Sequence, residues 1–83
     1  MTLDNKRILV YSKHDCTWCD KAKRVLENLR YPYQEMIYNV DFTKEELQNL
    51  VGEGIKPTVP QIFADGIRIG GYDDLKEFLK LKD

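Results

Sequence analysis

Residues 13–23, "KHDCTWCDKAK", hold both cysteines of the chain and its only histidine. Cys16 and Cys19 stand at i and i+3, a separation that one helical turn closes, so the two thiols can pass between dithiol and disulfide with little backbone movement. Other uses of such a pair fit less well. A closed zinc site takes four ligands, and beyond the cysteines the chain offers His14 and carboxylates but no second Cys-x-x-Cys. No intrinsic metal site is expected. A structural staple over so short a loop is worth about 2 kcal/mol, against about 3–5 for longer loops, and fixes little that helix hydrogen bonds do not already fix. A thiol-protease dyad is disfavoured too, because its base comes from a separate, oriented element, whereas His14 is a loop neighbour and reads as solvated.

Position separates the two sulfurs. Cys16 falls at the start of a predicted helix, where unsatisfied N–H groups and the dipole favour an anion, and Lys13 is one short loop away. Thiols in such settings ionise at about pH 3.5–7.5, which suits a nucleophile. Cys19, one turn further in, is expected to be shielded and to act as the resolving thiol. Trp18 between them reads either as a wall of the substrate cleft or as a surface aromatic packed on the fold.

The elements that must position this loop alternate. Ile8–Tyr11 is continuously apolar, as in a central strand covered on both faces. Ala22, Val25, Leu26 and Leu29 recur at helical spacing up to Tyr31-Pro32, which ends the helix. Tyr33–Tyr38 is a second strand. Thr43-Lys44-Glu45-Glu46 has the capping-box form, with Leu47, Leu50 and Val51 on one face and Gly52 and Gly54 able to stop the helix. Gln61–Ala64 and Ile67–Ile69 flank Asp65-Gly66, a two-residue type I′ hairpin signal. A last helix carries Leu75, Phe78 and Leu79, with Asp73 and Asp74 as its expected N-caps. The order β-α-β-α-β-β-α predicts an α/β fold, a four-stranded mixed sheet flanked by three helices, with strands one and two parallel through a right-handed crossover. Ligands of such sheets bind beyond the carboxyl ends of the parallel strands, where residues 13–19 fall.

Two further segments point to the same place. In "PTVPQIF", residues 57–63, Pro60 at a strand start is well placed as a cis residue that exposes the backbone of Val59 for pairing with an extended peptide; a trans proline is the commoner alternative. In "IGGYDDL", residues 69–75, a helix N-terminus suits a carboxylate and its aspartates suit an ammonium, together the end of an amino acid; the aspartates alone would equally be caps.

The 83 residues carry 13 basic and 14 acidic side chains, net charge -1, so no bulk field recruits nucleic acid or anionic lipid. The start, "MTLDNKR", lacks a secretory apolar core, and Ile8–Tyr11 is far short of the ~20 apolar residues of a membrane helix. A single cytoplasmic domain over residues 1–83 is expected, with no membrane or nucleic-acid partner.

The three motifs "YSKHDCTWC", "PTVPQIF" and "IGGYDDL", in this order and on these elements, resemble the glutaredoxins, glutathione-dependent members of the thioredoxin superfamily. The resemblance covers essentially the whole chain and implies a thioredoxin-like fold. It implies Cys16 as nucleophile, Cys19 as resolving cysteine, and Lys13 near the glutathione carboxylate, with Lys56 as a further contact. It also implies a cis Pro60, Thr58 and Val59 pairing with the cysteinyl backbone of glutathione, Trp18 beside the substrate, and Gly71, Asp73 and Asp74 around its γ-glutamyl end. Thioredoxins proper place tryptophan before the first cysteine and Gly-Pro between the two, unlike Thr17-Trp18. Many dithiol glutaredoxins have Pro-Tyr there, so Thr17-Trp18 is expected to alter redox poise and to leave room for an iron–sulfur cluster bridged between two subunits.

The implied activity is reduction of glutathione mixed disulfides and protein disulfides by a monomer, with glutathione as reducing co-substrate. Small glutaredoxins of bacteria and their viruses include donors to ribonucleotide reductase, which makes that enzyme a candidate partner. The rival readings are a dimeric carrier of a glutathione-ligated [2Fe-2S] centre and a thioredoxin-like donor dedicated to one enzyme.

Overall fold

The computed structural model describes residues 2–81. Among these residues the chain forms β1 (Ile8–Ser12), α1 (Thr17–Asn28), β2 (Tyr33–Ile37), α2 (Lys44–Val51), β3 (Gln61–Ala64), β4 (Ile67–Gly70) and α3 (Tyr72–Leu79). The strands lie in the order β2-β1-β3-β4. β1 runs parallel to β2, Ile8 opposite Tyr33, and antiparallel to β3, Ile8 opposite Ala64. It is therefore central and covered on both faces, which is why its sequence is apolar without alternation.

Successive side chains of β1 feed two cores. Ile8 and Val10 join Leu3, Ala22, Leu26, Ile62 and Leu75 beneath α1 and α3. Tyr11 joins Phe42, Leu47, Val51 and Phe63 beneath α2, with edge-on ring contacts at 5.1 Å to Phe42 and 5.4 Å to Phe63. The sheet thus holds the end of β1 rigidly from both sides.

Local chemistry sets the turns. Asp65 (φ 51) and Gly66 (φ 80) are both left-handed, as a type I′ hairpin requires. At α2 the Thr43 hydroxyl accepts from the Glu46 amide at 3.1 Å and the Glu46 carboxylate accepts from the Thr43 amide at 2.9 Å, a complete capping box.

The structure corrects three expectations. Leu29 is 42% exposed, because it is the C-cap of α1 and the chain leaves the helical stripe there. Leu50 is 48% exposed, because an eight-residue helix buries the narrow i, i+4 pair Leu47 and Val51 and leaves i+3 at the edge. Asp73 and Asp74 are not N-caps of α3: Gly71 takes that position, and Asp74, one turn in, reaches back to accept from the Gly71 amide at 3.0 Å. Leu3, 1% exposed, is a core residue that the polar segment around it concealed.

Candidate redox site

β1 ends at Ser12, and Lys13, His14 and Asp15 carry an exposed loop beyond the sheet. Asp15 turns it with a left-handed φ of 56, a conformation aspartate tolerates. Cys16 then takes the N-cap of α1 in extended geometry, and its sulfur accepts the Cys19 amide at 3.2 Å. A sulfur thus fills the role usually played by a capping oxygen, satisfying one of the helix's orphan donors. Cys16 and Cys19 are joined as a disulfide with Cα atoms 5.2 Å apart. Cys16 is 8% exposed and Cys19 0%, so a partner can reach only the first sulfur.

Beneath this loop lies a polar cluster. The fully buried Ser12 hydroxyl donates to Glu35 Oε2 at 2.5 Å, and Lys23 Nζ donates to the same oxygen at 2.8 Å, while Asp20 lies 3.5 Å from Lys23. Burial pushes the Glu35 carboxyl up, but the bonds from Lys23 and Ser12 outweigh it and hold the group below the usual carboxylate range. The bond to Glu35 likewise raises Lys23. Lys23 is i+4 from Cys19, so the cluster ties the cysteine-bearing face of α1 to β1 and β2. Sequence reasoning missed it, since its partners are local to no single motif.

On one side of the disulfide loop, a groove of about 310 Å³ is lined by Lys13, Tyr38, Phe42, Lys44, Leu47, Pro57, Thr58 and Val59. It brings together Lys13, Thr58 and Val59, and it adds Tyr38 and Lys44, which no motif marked. The Val59–Pro60 peptide is cis and Pro60 is buried. Gly71 sits beside Pro60: a Cβ there would lie 3.5 Å from the Pro60 carbonyl oxygen. Asp73 is exposed, and Asp74 is engaged with the Gly71 amide.

Trp18 does not line this groove. It is 54% exposed and packs against Tyr72, ring centroids 5.7 Å apart. Lys56 faces a separate concavity of about 520 Å³ on the α2–β3 loop, which holds neither cysteine. Gln48 braces that loop through the Gly52 and Ile55 carbonyls at 2.9 and 2.8 Å. Among the described residues no group of three or more His, Cys, Asp or Glu side chains is placed to hold a metal.

A strand, a short loop and a helix start that present a Cys-x-x-Cys disulfide at the edge of a mixed sheet define a thiol–disulfide oxidoreductase of thioredoxin-like fold. The glutaredoxin family model matches residues 8–69. Glutaredoxin 1 of Rickettsia felis is 39% identical over 74 residues, which are 88% of this chain and 72% of the relative. The reduced Escherichia coli glutaredoxin structure superposes with a TM-score of 0.73 at 35% identity, covering 89% of this chain and 93% of that one. A buckwheat glutaredoxin–glutathione complex gives a TM-score of 0.78 at 26% identity, covering 94% and 72%. The chain belongs to the glutaredoxin family.

Proposed function

We propose that the chain reduces glutathione mixed disulfides and protein disulfides in the reducing cytoplasm, with glutathione as the electron source. The observation that carries this reading is the placement of Cys16. It is the reachable sulfur of the pair, it caps a helix start that favours a thiolate, and its loop also supplies Lys13 to the groove with Thr58 and Val59. The buckwheat relative was solved with glutathione bound, which supports the same ligand here.

In the one-cysteine route the Cys16 thiolate attacks the glutathionyl sulfur of a mixed disulfide. The bond to the substrate sulfur breaks, and that thiolate leaves and takes a proton from water. A glutathione thiolate then attacks the glutathionyl sulfur on Cys16, giving glutathione disulfide and freeing the Cys16 thiolate. The net change is mixed disulfide plus glutathione to substrate thiol plus glutathione disulfide. In the two-cysteine route Cys16 opens a protein disulfide, Cys19 displaces the second substrate sulfur, and two glutathiones re-reduce the resulting Cys16–Cys19 bond. Ribonucleotide reductase is a candidate for that second class.

Lys13 would pair with a glutathione carboxylate, with Lys44 as a second cation in the groove. Thr58 and Val59 would offer backbone to the cysteinyl residue, and Gly71, Asp73 and Asp74 would meet the γ-glutamyl end. The test is reduction of a small glutathione mixed disulfide coupled to glutathione reductase. Cys19→Ser should retain turnover and Cys16→Ser should abolish it. No turnover by folded Cys19→Ser would overturn the glutathione reading and favour a donor dedicated to one protein.

A further inference from the structure

The Ser12–Glu35–Lys23 cluster has no part in the redox steps described above, yet the topology sets it under the resolving sulfur. Ile8, Val10 and Ser12 point to one face of β1, and the first two share a core with Ala22 and Leu26 of α1. Cys19, Ala22 and Leu26 are the buried stripe of that helix. Because α1 begins just beyond β1 and runs back over it to reach the parallel β2, the row meets the stripe with fully buried Ser12 at the Cys19 end. Glu35, in register with Val10, faces the same way, and Lys23, one turn beyond Cys19, donates to it at 2.8 Å.

This ion pair is better sheltered than its charged neighbours. Lys13, His14 and Asp15 of the loop and Asp20 and Lys21 of α1 are exposed, so water and salt screen them. From α3, Asp73 and Asp74 are exposed, Asp74 turned back to the Gly71 amide, and Lys76 lies against the Tyr72 ring. The Lys23 and Glu35 side chains are only 22% and 29% exposed. Burial pushes Glu35 up, but its bonds to Lys23 and Ser12 hold it below the usual carboxylate range, and the bond to Glu35 raises Lys23. Both therefore stay charged through neutral pH, and their charges sum to zero.

We propose that Lys23 and Glu35 are positioning residues for the second redox step: a balanced pair that keeps the Cys19 thiol protonated while Cys16 ionises, and so sets the choice between the one-cysteine and two-cysteine routes. A buried thiol facing no net charge ionises with difficulty, which gives an outside thiol time to resolve a mixed disulfide on Cys16. An unpaired ammonium would favour the Cys19 thiolate, and an unpaired carboxylate would oppose it. In ring closure Cys19 gives its proton to water and its thiolate attacks the Cys16 sulfur. The bond from Cys16 to the substrate sulfur breaks, and the leaving thiolate takes a proton from water.

This inference rests on the two routes of the proposed function, but its test uses no glutathione. A chromophoric aromatic disulfide, added to the reduced protein at one equivalent, releases a coloured thiolate when Cys16 attacks it and a second when Cys19 closes the ring. Cys19→Ser should give the first release alone. A partly screened charge close to a thiol moves its ionisation by about one pH unit. The tenfold change in thiolate fraction is partly offset by the opposite change in nucleophilicity, leaving about threefold in rate. At neutral pH Glu35→Gln should thus speed the second release about threefold and lower the midpoint of its pH profile, whereas Lys23→Met should slow it about threefold and raise the midpoint. Lys23→Arg and the double variant Lys23→Met/Glu35→Gln should return close to wild type, and the first release should change less than the second throughout. Loss of a purely structural tie would move both single variants the same way, so shifts of one sign, or none, overturn the proposal. Equal shifts in both releases also overturn it, since the pair would then act on both sulfurs alike. Should Lys23→Met not fold, Lys23→Gln takes its place. If the opposite shifts appear and a small glutathione mixed disulfide is still not reduced, the glutathione reading fails while the role of the pair in ring closure stands.

Discussion

Replacing Glu35 with Gln keeps the shape of the side chain and removes the charge on which Ser12 and Lys23 converge. Hydrogen bonds to a sheltered charge contribute about 1.5–3 kcal/mol, and exposed ion pairs about 0.2–1. The Lys23 and Glu35 side chains are 22% and 29% exposed, between those regimes. A loss of about 1–2 kcal/mol follows, or about 5–15 °C in Tm for a domain of this size. Urea unfolding of wild type, Glu35→Gln, Lys23→Met and the double variant isolates the coupling. The pH dependence gives a second check. The Glu35 carboxyl lies below 4.5 when folded, since the Lys23 and Ser12 bonds outweigh the opposing effect of burial, so the unfolded chain binds more protons in that interval. Its contribution is complete above the unfolded value and fades as pH falls through the folded one. Lys23, raised above 10.5 chiefly by its bond to Glu35, mirrors this: its contribution is complete below 10.5 and is lost as pH rises through the folded value. The stability gap between wild type and Glu35→Gln should be flat from about pH 6 to 9 and narrow at either extreme. A coupling below about 0.3 kcal/mol, or a gap as large at pH 3 as at pH 7, would refute the account.

Lys13→Ala should raise the KM for glutathione about three- to tenfold, because a cation is lost from both the groove and the thiolate's surroundings; an unchanged KM and Cys16 ionisation would discard that role. Gly70→Ala should destabilise the fold by about 1–3 kcal/mol, since its φ of 125 is closed to a side chain and the new Cβ would collide with Asp74; a melting curve like that of wild type would contradict this. Leu26→Ala, at a fully buried position between α1 and the sheet, should cost about 2–5 kcal/mol in chemical unfolding, and a loss under about 1 would mean that the core closes over the gap.

What could be read beforehand was what is written locally. The apolar run of β1, the Thr43–Glu46 box and the Asp65-Gly66 turn each depend on neighbours within a few residues, and each stands where expected. Cys16 at a helix start was legible for the same reason. Tyr38 and Lys44 were not, because they reach the groove only once β2 and α2 have packed. The Ser12–Glu35–Lys23 cluster joins three elements, and the Trp18–Tyr72 contact joins α1 to α3 across most of the chain. Leu29, Leu50 and the caps of α3 failed differently: periodicity gives a face but not its width, and a backbone amide at Gly71 can be satisfied from inside the helix.

The strand order β2-β1-β3-β4 has a consequence for synthesis. β1, α1 and β2 leave the ribosome first, but β1 lacks its second neighbour until Ile62 and Phe63 arrive, and the first core lacks Leu75 until later still. The two cysteines are therefore translated well before Thr58, Val59 and Gly71. During that interval their sulfurs stand in nascent chain without the shelter that later hides Cys19, and whatever redox buffer surrounds the ribosome acts on both alike. Selectivity between the two sulfurs is a property only of the finished chain.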